Sequence, residues 1–224
     1  MIKKVIALDL FCGAGGASMG LYNAGFEVSG VDINPQKNYP FSYIIKDVTK
    51  LSLKFLRQYD FIWASPPCQA YSQASRVHRN KGKKYPDLIG IVRKKLQKSG
   101  RPYCIENVFG APLQFPVMLC GTMFGLGVFR HRYFETSFGL LAPEHIKHKG
   151  KIGDGKYFSI AGGAGRWKSW GKVKRNVTKG TVEQWRKALD IEWMTRKELT
   201  QAIPPAYSEY MAKQFLANQS STSA

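Results

Sequence analysis

The chain is short of acidic residues, cysteine and long apolar runs. Its 15 acidic residues face 34 lysines and arginines, which gives a formal net charge of +19. The four cysteines are widely spaced and form no C-x-x-C pair, which argues against a disulfide framework and for free thiols. The four histidines are not at metal-ligand spacing with them, so we expect no bound metal. The apolar run from Val5 reaches Asp9 too soon for a signal peptide or a membrane span, so we expect a soluble cytoplasmic protein.

The positive charge is concentrated in two blocks. Residues 76–101 hold ten lysines and arginines against one acid, Asp87, and residues 145–180 hold ten against Asp154. Two basic blocks on a nearly neutral body predict a polyanionic partner held at two places. A solubilising surface is the alternative. An anionic membrane fits less well, because neither block keeps an apolar face at helical spacing throughout.

The apolar pattern predicts an α/β fold. The predicted strands are 5–10, 28–31, 43–45, 60–64 and 103–105, with helices at 17–23 and 88–98. Alternating strands and helices imply a parallel, doubly wound sheet that binds ligands at the carboxyl ends of its strands. Later stretches predict β-like pieces at 129–136 and 157–161 and helices at 183–189 and 207–217. The polar stretch 69–86 lacks apolar periodicity and predicts a long functional loop.

A glycine-rich turn, with Gly13, Gly15 and Gly16, joins the first predicted strand to the first helix. Glycine lets backbone approach a ligand closely, and the start of a helix supplies free N–H groups. Asp32 ends the next strand, where a carboxylate can accept hydrogen bonds from a ribose diol. Together they indicate an adenosine-containing cofactor without saying which one. A purely structural tight turn is the alternative.

One cysteine lies on a rigid turn at the expected ligand edge. Pro66 and Pro67 follow the fourth strand and restrict the backbone just before Cys68. The next strand delivers Glu106 to the same edge. A thiol and a carboxylate on neighbouring strand ends suit a nucleophile and a proton-handling group. Cys104, in contrast, has the setting of a small buried apolar residue, as does Cys120.

Two arginines, Arg130 and Arg132, fall within the predicted strand 129–136. Because side chains alternate along a strand, both are expected on one face. A solvated charged face is the ordinary alternative for such a pair.

In this order the motifs resemble those of the cytosine-C5 methyltransferase family, over nearly the whole chain. The matching segments are 9–16, 31–32, 47–48, 66–69, 71–72, 106–108, Arg130, Arg132 and 202–205. The resemblance implies an α/β, Rossmann-like, doubly wound methyltransferase fold with a small, irregular target-recognition region. The implied divisions are a catalytic and cofactor-binding domain (1–137), a basic target-recognition region (138–182), C-terminal helices (183–217) and a disordered tail (218–224).

The resemblance also implies S-adenosylmethionine as the cofactor and assigns residues to three roles. The implied cofactor-binding residues are Asp9, Phe11, Gly13, Gly15, Gly16, Asp32, Ile33, Asp47, Val48, Pro67, Gln201 and Ala202. The implied catalytic residues are Cys68, Glu106, Arg130 and Arg132. The expected substrate-binding residues are Gln69, Ser72 and Asn107, to which the composition of the second basic block adds Arg166 and Trp167; packing in a miniature core is the alternative for Trp167.

The chemistry that the family would bring is covalent catalysis on a cytosine flipped out of its stack. Cys68, as thiolate, would add to C6 of the ring, while Glu106 holds a proton at N3. Arg132 would contact the base carbonyl, and Arg130 would steady the nucleophile and a nearby phosphate. The basic loop 69–86 is expected to close over the substrate.

The implied partner is double-stranded DNA, and we expect the protein to act on it as a monomer in a prokaryotic or phage-infected cell. The expected recognition sequence is short or relaxed. The recognition sequence in the DNA is expected to be short because recognition regions in the family are usually larger than residues 138–182. RNA is the nearest alternative, since one branch of the family methylates transfer RNA with the same motifs. A second alternative is a non-catalytic relative that only binds nucleic acid. The intact Cys68 and Glu106 disfavour it. A nicotinamide oxidoreductase is a third, which the glycine pattern disfavours.

Overall fold

The computed structural model describes residues 4–145, 147–152, 154–161 and 180–222. In this part of the chain one seven-stranded sheet runs in the order β3-β2-β1-β4-β5-β7-β6. The strands are β1 (Ile6–Leu10), β2 (Glu27–Asp32), β3 (Ser42–Ile45), β4 (Phe61–Ala64), β5 (Tyr103–Asn107), β6 (Val117–Leu119) and β7 (Arg132–Thr136). The first five pair in parallel and the last two pair antiparallel. The prediction of a Rossmann-like, doubly wound sheet is confirmed.

Helices cover both faces of this sheet. They are α1 (Gly16–Asn23), α2 (Leu53–Leu56), α3 (Arg76–Asn80), α4 (Ile89–Ser99), α5 (Val182–Leu189), α6 (Arg196–Leu199) and α7 (Pro205–Thr222). Alternate residues of the central strands enter opposite cores: Trp63 packs with the α1, α5 and α7 side, and Ile62 with the α2 and α4 side. Burial on both faces explains why β4 is a continuous apolar run and why β1 and β5 are apolar except for Asp9, Glu106 and Asn107.

The register brings the polar strand ends together. Ala64, the last residue of β4, pairs with Ile105 of β5, so that Ser65 and Glu106 follow side by side. Leu10 of β1 pairs with Ala64 on one side and with Val31 on the other. The glycine turn, Asp32, Cys68 and Glu106 therefore all lie at the carboxyl ends of strands, at the same edge of the sheet.

Several short elements escape prediction, and three expectations need correction. The predicted loop 69–86 contains a 3-10 turn (Gln73–Ser75) and α3, which has no apolar periodicity because it buries no side chain. The stretch 157–161 is not a strand; it contributes only an isolated bridge between Ile152 and Tyr157. Helix α7 continues to Thr222, through most of the tail expected to be disordered. β6, α2 and α6 have three or four residues, too few to show a period.

The last helix lies directly on the first. A Cβ added at Gly20 of α1 would collide with the carbonyl oxygen of Pro205, and one at Gly16 with that of Ile203. The hydroxyl of Ser208 donates to the carbonyl of Ala17 at 2.8 Å. Glycine in α1 therefore serves the close packing of α7. Among the described residues, no helix has the length and apolar composition needed to cross a membrane.

We expect Gly20→Ala to destabilise the protein, because its methyl group would enter the space of the Pro205 carbonyl. Overpacking of this kind costs about 1–3 kcal/mol. Gly90→Ala in α4 is the matched control, since a Cβ there meets no atom within 4 Å. The free energy of unfolding of this control should stay the same or rise by up to about 1 kcal/mol. Urea unfolding of both variants measures the difference, and equal stabilities would contradict the packing argument.

Candidate active site

The thiol of Cys68 lies half-buried on the turn that follows β4. The amide Nδ2 of Asn107, at the end of β5, donates to the carbonyl of Pro66 at 2.9 Å. This bond fixes the proline turn against the neighbouring strand. Asn107 is fully buried. The expected contact between Asn107 and substrate is therefore corrected: its side chain positions the turn and has no surface to offer.

Backbone hydrogen bonds shape the loop of the expected nucleophile, residues 68–72, which we call the nucleophile loop. The amides of Tyr71 and Ser72 donate to the carbonyl of Cys68 at 2.9 and 2.8 Å. The guanidinium of Arg79, on α3, donates to the carbonyls of Gln69 and Ser72 at 2.8 and 2.7 Å. The hydroxyl of Ser72 donates to that of Ser75 at 3.0 Å. Sequence reasoning missed Arg79. In a run of basic residues, the sequence does not distinguish an arginine that donates to backbone carbonyls from one that is exposed to solvent.

Glu106 forms an ion pair with Arg132 beside the thiol. Nε of Arg132 lies 3.0 Å from Oε1 of Glu106, a carboxylate that is 5% exposed. Burial raises the pKa of Glu106, while the charge of Arg132 and a hydrogen bond with Ser65 lower it. The Ser65 hydroxyl also accepts a hydrogen bond from Nε1 of Trp63 at 2.9 Å. A buried carboxyl held this way is oriented and ready to bind a proton.

The surroundings of Cys68 favour the neutral thiol in the free protein. Burial raises the pKa of Cys68, and the nearby Glu106 carboxylate raises it further. The charge of Arg132 acts in the opposite direction and lowers it. The prediction that these three residues share one site agrees with this arrangement, and the raised pKa makes the neutral thiol the resting form of Cys68.

The prediction that Arg130 and Arg132 share one strand face is wrong. β7 begins only at Arg132, so Arg130 precedes the strand. Its buried guanidinium donates four hydrogen bonds to backbone carbonyls, those of Leu199 (3.1 Å), Thr200 (2.8 Å), Ala202 (2.6 Å) and Ile160 (2.9 Å). Burial, and then the charge of Arg132, lowers the pKa of Arg130 to about 9. A guanidinium has five N–H donors, so little remains for a phosphate. In this structure Arg130 clamps the C-terminal segment, residues 199–203.

The glycine turn leaves open space where a cofactor is expected. Phe11, Gly13 and Gly15 have φ of 62°, 50° and 83°, and a Cβ added at Gly13 would meet no atom within 4 Å. The carboxylate of Asp32 accepts from the amides of Gly13 at 3.0 Å and Asn34 at 2.9 Å, which aims it. Ile33, directly after β2, is 62% exposed and offers an apolar surface next to that carboxylate. An adenosine fits these features.

Other expected cofactor residues play supporting parts. Asp9 is buried beneath the turn, where it accepts from the Ser18 hydroxyl at 2.6 Å, and burial raises its pKa to about 7. Its direct contact with the cofactor is therefore corrected. Asp47 accepts from the amide and hydroxyl of Thr49, which caps the turn around the buried Val48. Pro67 is half-buried beside Cys68, Gln201 is exposed, and Ala202 is buried with its carbonyl bound to Arg130.

Part of the first basic block is used within the fold. Arg79 holds the nucleophile loop, Arg93 pairs with Glu135 at 2.6 Å, and Lys95 donates to the carbonyls of Thr49 and Leu51. The exposed cations of this block are Arg76, Lys81, Lys83, Lys84, Lys94 and Lys98. Arg166 and Trp167, expected to bind substrate, lie outside the described residues.

Comparison with known proteins confirms the resemblance drawn from the motifs. Residues 5–110 match the family described as C-5 cytosine-specific DNA methylase. The Type II methyltransferase M.FnuDI of Fusobacterium nucleatum is 31% identical over 113 residues, 46% of this chain and 32% of that protein. The Type II methyltransferase M1.HphI of Haemophilus parahaemolyticus is 36% identical over 86 residues, 32% of this chain and 23% of that protein. The chain thus matches a third or less of the length of these relatives.

A solved structure supports the fold over most of the chain. The S. pombe Dnmt2 methyltransferase superposes with a TM-score of 0.63, covering 97% of this chain and 99% of that one, at 14% sequence identity. At this identity the likeness shows the fold alone.

We expect the alkylation rate of Cys68 to rise with pH through a midpoint above the ordinary value for a cysteine thiol, because its pKa is raised. Glu106→Gln should move the midpoint down, since it removes the carboxylate charge, and Arg132→Gln should move it up. Iodoacetamide kinetics followed by peptide mass spectrometry measure this, because Cys12, Cys104 and Cys120 are buried. A midpoint that neither variant moves would show that this ion pair does not control the thiol.

Proposed function

We propose that the chain transfers a methyl group from S-adenosylmethionine to C5 of cytosine in DNA, because residues 5–110 match the family described as C-5 cytosine-specific DNA methylase. The observation that carries the proposal is the Cys68 thiol on its proline turn beside the Glu106–Arg132 ion pair. A nucleophile next to a buried, oriented carboxyl is what this reaction needs.

The reaction requires activation of a carbon that is itself a poor nucleophile. Addition of the Cys68 thiolate to C6 forms an S–C bond and moves the electron pair of the C5–C6 double bond towards C5. Carbon 5 would then form its bond to the methyl group while the bond from that group to the sulfonium sulfur breaks, and the sulfur would leave as a neutral thioether. Loss of the C5 proton restores the double bond and expels the cysteine as thiolate.

Glu106 and Arg132 fit complementary roles towards the base. The raised pKa of Glu106 suits a carboxyl that holds a proton at N3 of the ring. Arg132 uses Nε for Glu106 and one NH1 hydrogen for the carbonyl of His131. Its remaining donors can reach the carbonyl of the base. When Glu106 shares a proton with N3, the negative charge beside Cys68 falls and thiolate formation becomes easier.

The open edge beside the glycine turn is the proposed place of the cofactor. Asp32 would accept from the ribose hydroxyls, Ile33 would cover one face of the adenine, and Asp47 would lie near its edge. The backbone at Gly13 allows close approach. S-adenosylmethionine supplies a methyl group on a positively charged sulfur, which makes that group transferable. Trp193 holds this edge from behind, because its Nε1 donates to the carbonyl of Ala14 at 2.7 Å.

Exposed cations next to the nucleophile loop are the proposed phosphate contacts. Lys81, Lys83 and Lys84 follow α3, whose Arg79 is bonded to that loop. The second block, 145–180, adds positive charge in the proposed recognition region, 138–182. A short region rich in lysine supplies affinity more than base reading, which favours a short or relaxed target sequence.

We expect Cys68→Ala to abolish methyl transfer and to leave S-adenosylmethionine binding nearly unchanged, because the thiol attacks the base. With DNA that contains 5-fluorocytosine, the wild-type chain should form a stable adduct, since fluorine blocks the final proton loss. Cys104→Ala is the matched control: its thiol is fully buried, and the adduct should still form. Denaturing gels with radiolabelled cofactor measure the adduct, and an RNA of the same sequence tests the alternative substrate. Turnover by Cys68→Ala would refute the proposal.

We expect Lys81→Gln with Lys84→Gln to weaken DNA binding at all sequences alike. Each phosphate contact contributes about −0.9 to the slope of log affinity against log salt, so the slope should flatten by about 1.8. Lys54→Gln with Lys187→Gln removes the same charge from exposed positions on α2 and α5. This control should leave the slope unchanged. Equal effects of the two pairs would mean that net charge, and not position, governs binding.

A further inference from the structure

Three histidines and one cysteine meet outside the candidate active site. Cys120 follows β6, His131 immediately precedes β7, and His145 and His148 lie in the segment after β7. One potential ligand atom from each lies within 4.8 Å of all the others. We call these four residues the Cys/His cluster. The sequence expectation of no metal relied on spacing, and only His145 and His148 are close neighbours along the chain.

Three of the six ligand-atom distances within the Cys/His cluster are close to those of a tetrahedral coordination shell, and all six are within 4.8 Å. Sγ of Cys120 lies 3.2 Å from Nε2 of His148. Nε2 of His145 lies 3.1 Å from Nε2 of His148 and 3.4 Å from Nε2 of His131. Zinc bonds of about 2.0–2.1 Å to nitrogen and 2.3 Å to sulfur place neighbouring ligand atoms roughly 3.3–3.6 Å apart in a tetrahedron. The three measured pairs are therefore already close to that spacing.

Hydrogen bonding alone satisfies this arrangement poorly. A neutral imidazole nitrogen either donates or accepts, but cannot do both. Nε2 of His145 faces two other Nε2 atoms, so it must either share one hydrogen between them or present a bare lone pair to both. A cation at the centre would use all three lone pairs and the thiolate at once.

We propose that the Cys/His cluster is a structural zinc site. Imidazole and thiolate are the donors that zinc prefers, whereas magnesium and calcium prefer oxygen. Four protein ligands complete a tetrahedron and leave no position for water or substrate, which distinguishes a structural from a catalytic site.

The neighbouring groups suit a bound metal. The ring of His148 stacks on Phe129, with centroids 3.9 Å apart and planes 5° from parallel, and Phe129 contacts Tyr157 in turn. This packing fixes the direction of Nε2. The thiol of Cys120 donates to the carbonyl of Phe129 at 2.9 Å, and that proton would leave on metal binding. The hydroxyl of Thr122, 3.1 Å from Sγ, can then donate to the thiolate.

The position of the site suggests what it stabilises. His131 stands between Arg130, which clamps the C-terminal segment, and Arg132, which pairs with Glu106. His145 and His148 lie at the start of the second basic block. One zinc ion would therefore tie the beginning of the proposed recognition region to the strand that carries Arg132.

The test measures metal on the full, tag-free chain. Plasma mass spectrometry should find one zinc per chain. After removal of zinc, Co²⁺ should give the visible bands of a tetrahedral ion and a thiolate-to-metal charge-transfer band in the near ultraviolet. Cys120→Ser should lose the charge-transfer band. His145→Gln and His148→Gln alter surface-accessible side chains and should fold, but bind zinc more than about 100-fold more weakly, since even outer-shell changes cost 10- to 100-fold.

The fourth histidine of the chain supplies the control. His78 is exposed on α3 and is not part of the Cys/His cluster, so His78→Gln should keep the full zinc content. Zinc should also raise the melting temperature of the wild type and of His78→Gln but not of His148→Gln. A wild-type chain without bound zinc, and without a charge-transfer band on addition of Co²⁺, would overturn the proposal. So would zinc loss in His78→Gln equal to that in the cluster variants.

Discussion

The rest of the structure depends on the hydrogen bonds of one buried guanidinium. Arg130 donates hydrogen bonds to four backbone carbonyls, three of them in the C-terminal segment. Without it these carbonyls would lose the donor that the guanidinium supplies. Losing one partner of such a network leaves the others unsatisfied in a low-dielectric interior, which is where the cost is greatest. The same segment leads into α7 and packs on α1, so the connection between β6 and β7 controls the far end of the chain.

The candidate cofactor edge is therefore built from both halves of the chain. Gly16 approaches Ile203 closely, and Trp193 donates to the carbonyl of Ala14. These contacts support the glycine turn from the side opposite the open space. The buried Asp9–Ser18 hydrogen bond holds the turn from below. Positioning at this edge comes from residues that themselves stay out of reach of a ligand.

Sequence reasoning succeeded for the positions of the strand ends. Cys68 follows β4 and Glu106 lies at the end of its parallel neighbour β5, and apolar runs with polar ends are visible in the sequence. It failed for Arg130, because backbone carbonyls some 70 residues away leave no mark in the order of side chains. The Cys/His cluster escaped for a similar reason, since three separate stretches meet only after β7 joins the sheet. Short elements such as α3 bury nothing and so have no pattern to find.

The packing of α7 on α1 has a consequence for folding during synthesis. It joins Ala17 to Ser208, residues 191 apart along the chain. Contacts of such long sequence separation slow folding, because a large loop must close before they form. On the ribosome, α1 emerges long before the helix that covers it, and its glycine face remains exposed until the 191 residues from Ala17 to Ser208 have been made. The edge where a cofactor is expected can mature only after α7 has been made, so nascent chains wait in a state with an uncovered apolar surface.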